Sequence, residues 1–296
     1  MNVFLTGATG FLGAPIAAEL LRRGWRVTLP TRRAREVGEC PVFAGAQVVG
    51  CDLDRVIDLD RMLGGHQALI HHQLIWPEAS REHEWLDAQL CSRIFDAAGK
   101  AGVEHVVYTS STAVHRPFRG LMRESDRLAP DDFYGTDKAA GELALWAMAH
   151  RHGFRATVIR VGPAIGVPLW SGARPTRHAS LQAMIDAARD GEDLVVRRGT
   201  ERQFVDAGDV GRVFAAALEA EGAQETYLCV AEETTPWAHI AETIVAEIGS
   251  SSRVIVAGAV DAETPRFDTA RLADGLGLRL TTRGRWPAAI RALLSE

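Results

Sequence analysis

The sequence predicts an α/β protein, a doubly wound parallel sheet followed by a smaller C-terminal α/β unit. Three observations carry that expectation. Short apolar runs alternate with amphipathic helical patterns through the first two thirds of the chain. A glycine-spaced stretch, TGATGFLG over residues 6–13, joins the first apolar run to the first helical pattern. After Gly162-Pro163 the texture changes to an irregular segment rich in proline and glycine, then to shorter elements.

Taken in order, Val3-Phe4-Leu5 reads as a strand. Phe11, Leu12, Ile16, Leu20 and Leu21 then recur at helical spacing over 11–23. Gly24 stops that helix, and Arg26-Val27-Thr28-Leu29 is the next strand. Strands are expected near 47–50, 67–71, 104–110 and 155–161, with helices near 54–63, 82–101 and 133–152. Strands separated by helices of this length run parallel with right-handed crossovers. Beyond 162, strands near 194–196 and 226–230 and helices near 179–190, 209–221, 236–249 and 284–294 are expected. The organisation expected is therefore a dinucleotide-binding domain over 1–162 and a mainly substrate-binding unit over 163–296, part of which can return to the first sheet.

Bulk properties exclude several classes. At 296 residues with 47% hydrophobic and 24% charged residues, the chain has the balance of a soluble globular protein. A net charge of −5 gives no support to a nucleic-acid or anionic-membrane partner. Cys40, Cys51, Cys91 and Cys229 are scattered, without the spacing of a zinc site or a disulfide framework, so no metal is expected and the thiols read as reduced. A first strand at residue 2 or 3 leaves no room for a signal peptide, and no run of about 18 apolar residues is present. A cytoplasmic protein acting on a small molecule is the expectation.

The glycine stretch is a phosphate cradle. Gly7 permits the sharp turn, Gly10 lets the backbone approach a diphosphate, and Gly13 lets the helix pack close to the sheet. The free amides and positive end of the helix then face the phosphates, with Thr9, Phe11 and Leu12 lining the approach. At the end of the second strand, where an NAD site usually carries an acid, the chain reads Leu29-Pro30-Thr31-Arg32-Arg33. Two guanidiniums suit a 2′-phosphate, and each charge-assisted bond contributes roughly 1.5–3 kcal/mol. NADP(H) is accordingly expected over NAD(H), with Thr31, Arg32 and Arg33 at the phosphate. Asp52 and Leu53, ending the third strand, are placed to meet the adenine.

Near the middle, Val106-Val107-Tyr108-Thr109 runs into Ser110-Ser111-Thr112, and Tyr134 and Lys138 follow four residues apart on one helix face. A phenol ionises near pH 10 and is a weak acid–base at neutrality. A neighbouring ammonium and a nicotinamide cation stabilise its phenolate. Ser111 would hydrogen-bond the reacting oxygen, and Lys138 would also hold ribose hydroxyls.

Over essentially its whole length the chain resembles an extended short-chain dehydrogenase/reductase of the NAD-dependent epimerase/dehydratase superfamily. TGATGFLG, CDL, VYTSSTAV, YGTDKAAGE, VIRVGPAIG, RQFVDAGDV and FDTARLADGLGLR carry the likeness in order. The resemblance implies a Rossmann-type sheet, Ser111 as the catalytic Ser/Thr, Tyr134 as acid–base and Lys138 as its partner. It sets His71-His72-Gln73 beside the nicotinamide, where His72 or Gln73 could touch cofactor or substrate, and Gln73 is counted with the cofactor-binding residues. It sets Asp87 where the family often has an Asn supporting a water relay to the lysine. Thr112, His115 (where a Tyr is typical) and Arg202 (where an arginine often meets substrate phosphate) are implied substrate contacts. Trp76 and Trp170 are candidates to wall an apolar pocket. A homodimer through helices near 82–101 and 133–152 is typical of the family.

The departures narrow the chemistry. Ser111-Thr112-Ala113 lacks the Thr-Asp-Glu of the 4,6-dehydratases, and Cys is absent from Ser110-Ser111-Thr112. Pro163 replaces the Asn that nucleotide-sugar members usually carry, and it offers neither a backbone donor nor a polar side chain. The first reading is thus an NADP(H)-dependent oxidoreductase interconverting a ketone and a secondary alcohol. The alternative is a nucleotide-sugar epimerase with tightly held NAD. A third is a non-catalytic NADP sensor, which the presence of both Tyr134 and Lys138 disfavours.

Overall fold

The computed structural model describes residues 1–75, 84–175, 179–258 and 264–295. Its centre is a seven-stranded parallel sheet. The strands are β1 (Asn2–Thr6), β2 (Arg26–Thr31), β3 (Gln47–Gly50), β4 (Ala68–His71), β5 (His105–Ser111), β6 (Arg155–Val161) and β7 (Gln224–Cys229). Their spatial order is β7-β6-β5-β4-β1-β2-β3, so the chain reverses direction of winding between β1 and β4. In open α/β sheets the crevice for ligands opens at that reversal, beyond the carboxyl ends of the strands.

Strand alternation supplies the two cores. Val3 and Leu5 of β1 and Val107 of β5 face a cluster built on α1 (Gly13–Arg22) and α7 (Ala207–Glu219). Phe4 of β1 with Val106 and Tyr108 of β5 face the opposite cluster, built on α4 (Leu86–Lys100) and α5 (Phe133–His152). Helix α5 starts where the Asp132 side chain accepts from the Gly135 amide at 2.6 Å, and stops at Gly153, which takes φ +80°. A third core joins α6 (Ala179–Arg189), α8 (Trp237–Ile248) and α10 (Trp286–Leu294) around Phe204 and Trp286.

Three differences from the sequence expectations have physical causes. The helix expected over 54–63 is a single 3-10 turn at Leu53–Arg55 followed by the short α3 (Leu59–Leu63), because only Leu53, Leu59 and Leu63 are buried there. The strand expected near 226–230 in the later unit begins two residues earlier, as β7, because it returns to the first sheet and pairs with β6 from Gln224↔Ala156 to Cys229↔Val161. The short α2 (Ala34–Glu39) and α9 (Ala270–Leu276) bury only Val37 and Leu272 respectively, too little apolar periodicity to read from the sequence. Among the described residues no helix is long and apolar enough to cross a membrane.

Candidate active site

The glycine turn is built as close contact requires. Gly7 sits at φ +71°, and a Cβ there would lie 2.7 Å from the Gln73 nitrogen. A Cβ on Gly13 would lie 2.0 Å from the Gly7 carbonyl oxygen, so α1 reaches the turn only because that position has no side chain. Below the turn, the Thr6 hydroxyl accepts from the His72 and Gln73 amides at 3.0 Å each. Its own proton therefore goes to His71 Nδ1, 3.0 Å away. That leaves the His71 proton on Nε2, which is buried and has no hydrogen-bond partner among the described residues. Burial pushes this imidazole down to about 4, so it is neutral at physiological pH.

Around the turn lies a cavity of about 590 Å³ that brings together Gly7, Thr9, Gly10, Thr31, Arg32, Arg33, Asp52, Leu53 and Gln73. An approachable glycine backbone opening into a cavity of this lining fits a dinucleotide. The arginine pair is divided, however. Arg33 donates to the Gly172 carbonyl at 2.9 Å, pairs with Glu36, and stacks on Trp170 with its guanidinium 4.6 Å from the ring centroid. Both arginines line the cavity, Arg32 exposed and Arg33 already engaged by these protein partners. On the same wall Gln73 donates to Asp54, whose carboxyl is pushed up by burial and by neighbouring Asp52.

A second cavity, of about 490 Å³, holds Ser111, Thr112, Tyr134, Lys138, Arg116, Arg202 and Pro163, together with Phe11 and Leu12. His72 and Leu74 line both cavities, so the two adjoin. His72 is fixed by a 2.9 Å bond between its Nδ1 and the Thr109 hydroxyl, and burial pushes it down to about 3. Ser111 Oγ accepts from the Ala113 amide at 3.2 Å and keeps its own proton to donate. Tyr134 lies in the first turn of α5 and Lys138 one turn on, as the four-residue spacing requires. Lys138 is 3% exposed and donates to Asp87 Oδ2 at 2.9 Å, with Nζ 5.2 Å from the Tyr108 ring centroid. Burial alone would favour the neutral amine, but Asp87, Tyr134 and Cys91 outweigh it and hold the ammonium well above its ordinary range.

Of the implied substrate contacts, Thr112 and Arg202 line this cavity and His115 does not. His115 is 7% exposed, and its Nε2 accepts from Arg160 Nη1 at 2.9 Å. That nitrogen is therefore already engaged within the protein. Arg202 has no carboxylate partner among the described residues, and burial, with Arg116 nearby, pushes its guanidinium down. Arg116 pairs with Asp132, and both guanidiniums lie over the Phe118 ring, at 5.8 and 5.7 Å. Trp170 packs on Arg33 and Phe43 instead of walling this cavity, and Trp76 lies outside the described residues.

Sequence reasoning missed the frame under the site. Glu142 of α5, fully buried, accepts from Arg160 Nε at 3.0 Å and Nη2 at 2.8 Å, and from Ser110 Oγ at 2.5 Å. Arg160 of β6 also donates to the Glu124 carbonyl at 2.9 Å. This network ties β5, β6 and α5 together directly behind Ser111. A charged residue inside the apolar run Val158-Ile159-Arg160-Val161 was the one available signal.

Comparison with known proteins gives the family and the fold. The sequence matches the NAD dependent epimerase/dehydratase family over residues 3–229. An uncharacterized protein of Schizosaccharomyces pombe is 28% identical over 254 residues, 82% of this chain and 79% of that one. A putative dihydroflavonol 4-reductase of Synechocystis is 37% identical over 114 residues, 37% of this chain and 32% of that one. Among solved structures, the UDP-glucuronic acid 4-epimerase of Bacillus cereus in complex with NAD superposes with a TM-score of 0.82 at 17% identity, covering 100% of this chain and 99% of that one.

Proposed function

Given that the chain belongs to the NAD dependent epimerase/dehydratase family, and so to the extended short-chain dehydrogenases/reductases, we propose that it carries out reversible redox chemistry at a secondary alcohol carbon. One observation carries the reading. Ser111, Tyr134 and Lys138 line a single cavity that adjoins the glycine-turn cavity through His72 and Leu74. A nicotinamide supplies a hydride acceptor or donor when bound. Gly7, Gly10, Thr9 and the residues around Asp52 would hold its dinucleotide. Ser111 would donate a hydrogen bond from its hydroxyl to the substrate oxygen and orient it. Tyr134 moves the proton on that oxygen, while Lys138 keeps a positive charge beside the phenol and would hold the ribose hydroxyls of the bound dinucleotide.

Two overall outcomes use these groups. We place first the epimerisation of a substrate bearing an anionic group, such as a nucleotide sugar, in which NAD stays bound and the alcohol is restored on the opposite face. Supporting it are Arg202, a half-buried guanidinium lining the reaction cavity without a carboxylate partner among the described residues, and the NAD-bound 4-epimerase with the same fold. Net reduction of a ketone by NADPH stands second. It is supported by Arg32 at the cofactor cavity, by Pro163 in the cavity wall, and by the reductase named among the relatives. The deciding experiment identifies the cofactor released when freshly purified protein is denatured. Retained NAD is expected; empty protein preferring NADPH by tenfold or more would reverse the order.

A further inference from the structure

We infer that Asp87 is a positioning residue that locks the Lys138 ammonium in place and offsets its charge beside Tyr134. The inference rests on the reading of Tyr134 and Lys138 as the acid–base pair. Its basis is geometric. The Asp87 carboxylate and the Lys138 ammonium meet at 2.9 Å with side-chain exposures of 0% and 4%, so no solvent screens them and no water separates them. The second carboxylate oxygen is held by the Ile75 amide at 3.0 Å, which fixes the orientation of the pair. Asp87 sits in the first turn of α4, where Asp137 of α5 accepts from the Ala88 amide at 3.0 Å. The helices carrying the two partners are therefore clipped together at the point where they meet.

The family resemblance sets an Asn at this position, a neutral group that would leave the lysine charge uncompensated. Here the carboxylate supplies a full counter-charge. The other groups around the pair cannot replace it. His71 of β4 and His72 beyond it are neutral, because burial and Lys138 itself keep the protons off them. Tyr108 of β5 and Cys91 of α4 are held protonated by burial. Asp137 of α5 is pushed up by burial, and Asp54 lies on the cofactor side. Tyr134 thus faces an ion pair and not a bare cation. A phenol beside an ion pair feels less positive charge than one beside an isolated ammonium, which changes how strongly its phenolate is favoured.

The sequence makes this testable without knowing the substrate. The chain has three tyrosines, Tyr108, Tyr134 and Tyr227, and two lysines, Lys100 and Lys138. Protein labelled with ¹³Cζ-tyrosine and ¹⁵N-lysine is titrated by NMR, with Tyr134 assigned from the Tyr134→Phe spectrum. In Asp87→Asn the Tyr134 signal is expected to ionise about 1–2 pH units lower than in the parent protein, with dinucleotide binding retained. An unchanged Tyr134 midpoint in folded Asp87→Asn overturns the inference. Should that variant fail to fold, the parent protein still decides. A slowly exchanging Lys138 ammonium, distinct from that of exposed Lys100, is expected, and fast exchange at Lys138 overturns the inference. Hydride transfer surviving in Tyr134→Phe would sink the acid–base reading instead, whatever the ion pair does.

Discussion

Replacing Glu142 by Gln should cost more stability than any isosteric change on the surface of this protein. Glu142 is fully buried and accepts three hydrogen bonds, two from the Arg160 guanidinium and one from Ser110. The substitution keeps the shape but removes the charge, leaving a guanidinium that is 4% exposed without its counter-ion. Removing one member of a buried pair costs about 3–5 kcal/mol. Against a total of roughly 5–15 kcal/mol, that is a large share. Urea unfolding followed by tryptophan fluorescence should show the midpoint lowered by about 1–2 M with an unchanged slope. The double variant Glu142→Met/Arg160→Met should recover part of the loss, since apolar groups of similar volume can replace a buried ion pair. Recovery should stay incomplete, because Arg160 also serves the Glu124 carbonyl and His115 Nε2, and each stranded acceptor costs about 1–3 kcal/mol. A loss below about 1 kcal/mol in Glu142→Gln would refute the argument that this network holds the floor of the site.

Gly13→Ala forces a Cβ to within 2.0 Å of the Gly7 carbonyl, so the turn must open; we expect at least about 3 kcal/mol lost and dinucleotide affinity reduced about 100-fold in a fluorescence titration. Any preference for NADPH over NADH in stripped protein should vanish in Arg32→Ala and survive within about twofold in Arg33→Ala, because Arg33 is already held by Glu36, Gly172 and Trp170. Equal loss in both variants would contradict that assignment. His71, His105 and His115 are each pushed by burial from 6.5 to about 4. A histidine held neutral in the fold contributes stability that is complete above pH 6.5 and is lost as pH falls toward 4. The unfolding free energy from urea titrations, and with it the midpoint, should therefore fall from pH 7 to pH 5, the free energy by about 1.4 kcal/mol per pH unit for each such histidine once the unfolded form is protonated. A midpoint independent of pH over that range would count against neutral burial.

The sequence by itself determined the repeating strand–helix order, the glycine turn and the Tyr134–Lys138 spacing, because each depends on neighbours within one or two turns of chain. Periodicity located α5 at Phe133–His152 and β6 at Arg155–Val161 to the residue. Local patterning also placed Ser111 at the end of a strand, where the sheet geometry turns it toward the crevice. What the sequence left open were properties set by partners far apart in the chain. Arg32 and Arg33 are adjacent and chemically equal, yet the Gly172 carbonyl, 139 residues away, holds one of them while the other stays exposed at the cofactor cavity. His115 stood in line with substrate residues until Arg160 of β6 claimed its nitrogen. Asp87 and Lys138 lie 51 residues apart, and only the packing of α4 on α5 makes them an ion pair. A side chain's identity fixes which bonds it can make, but the fold decides which partner arrives without water between them.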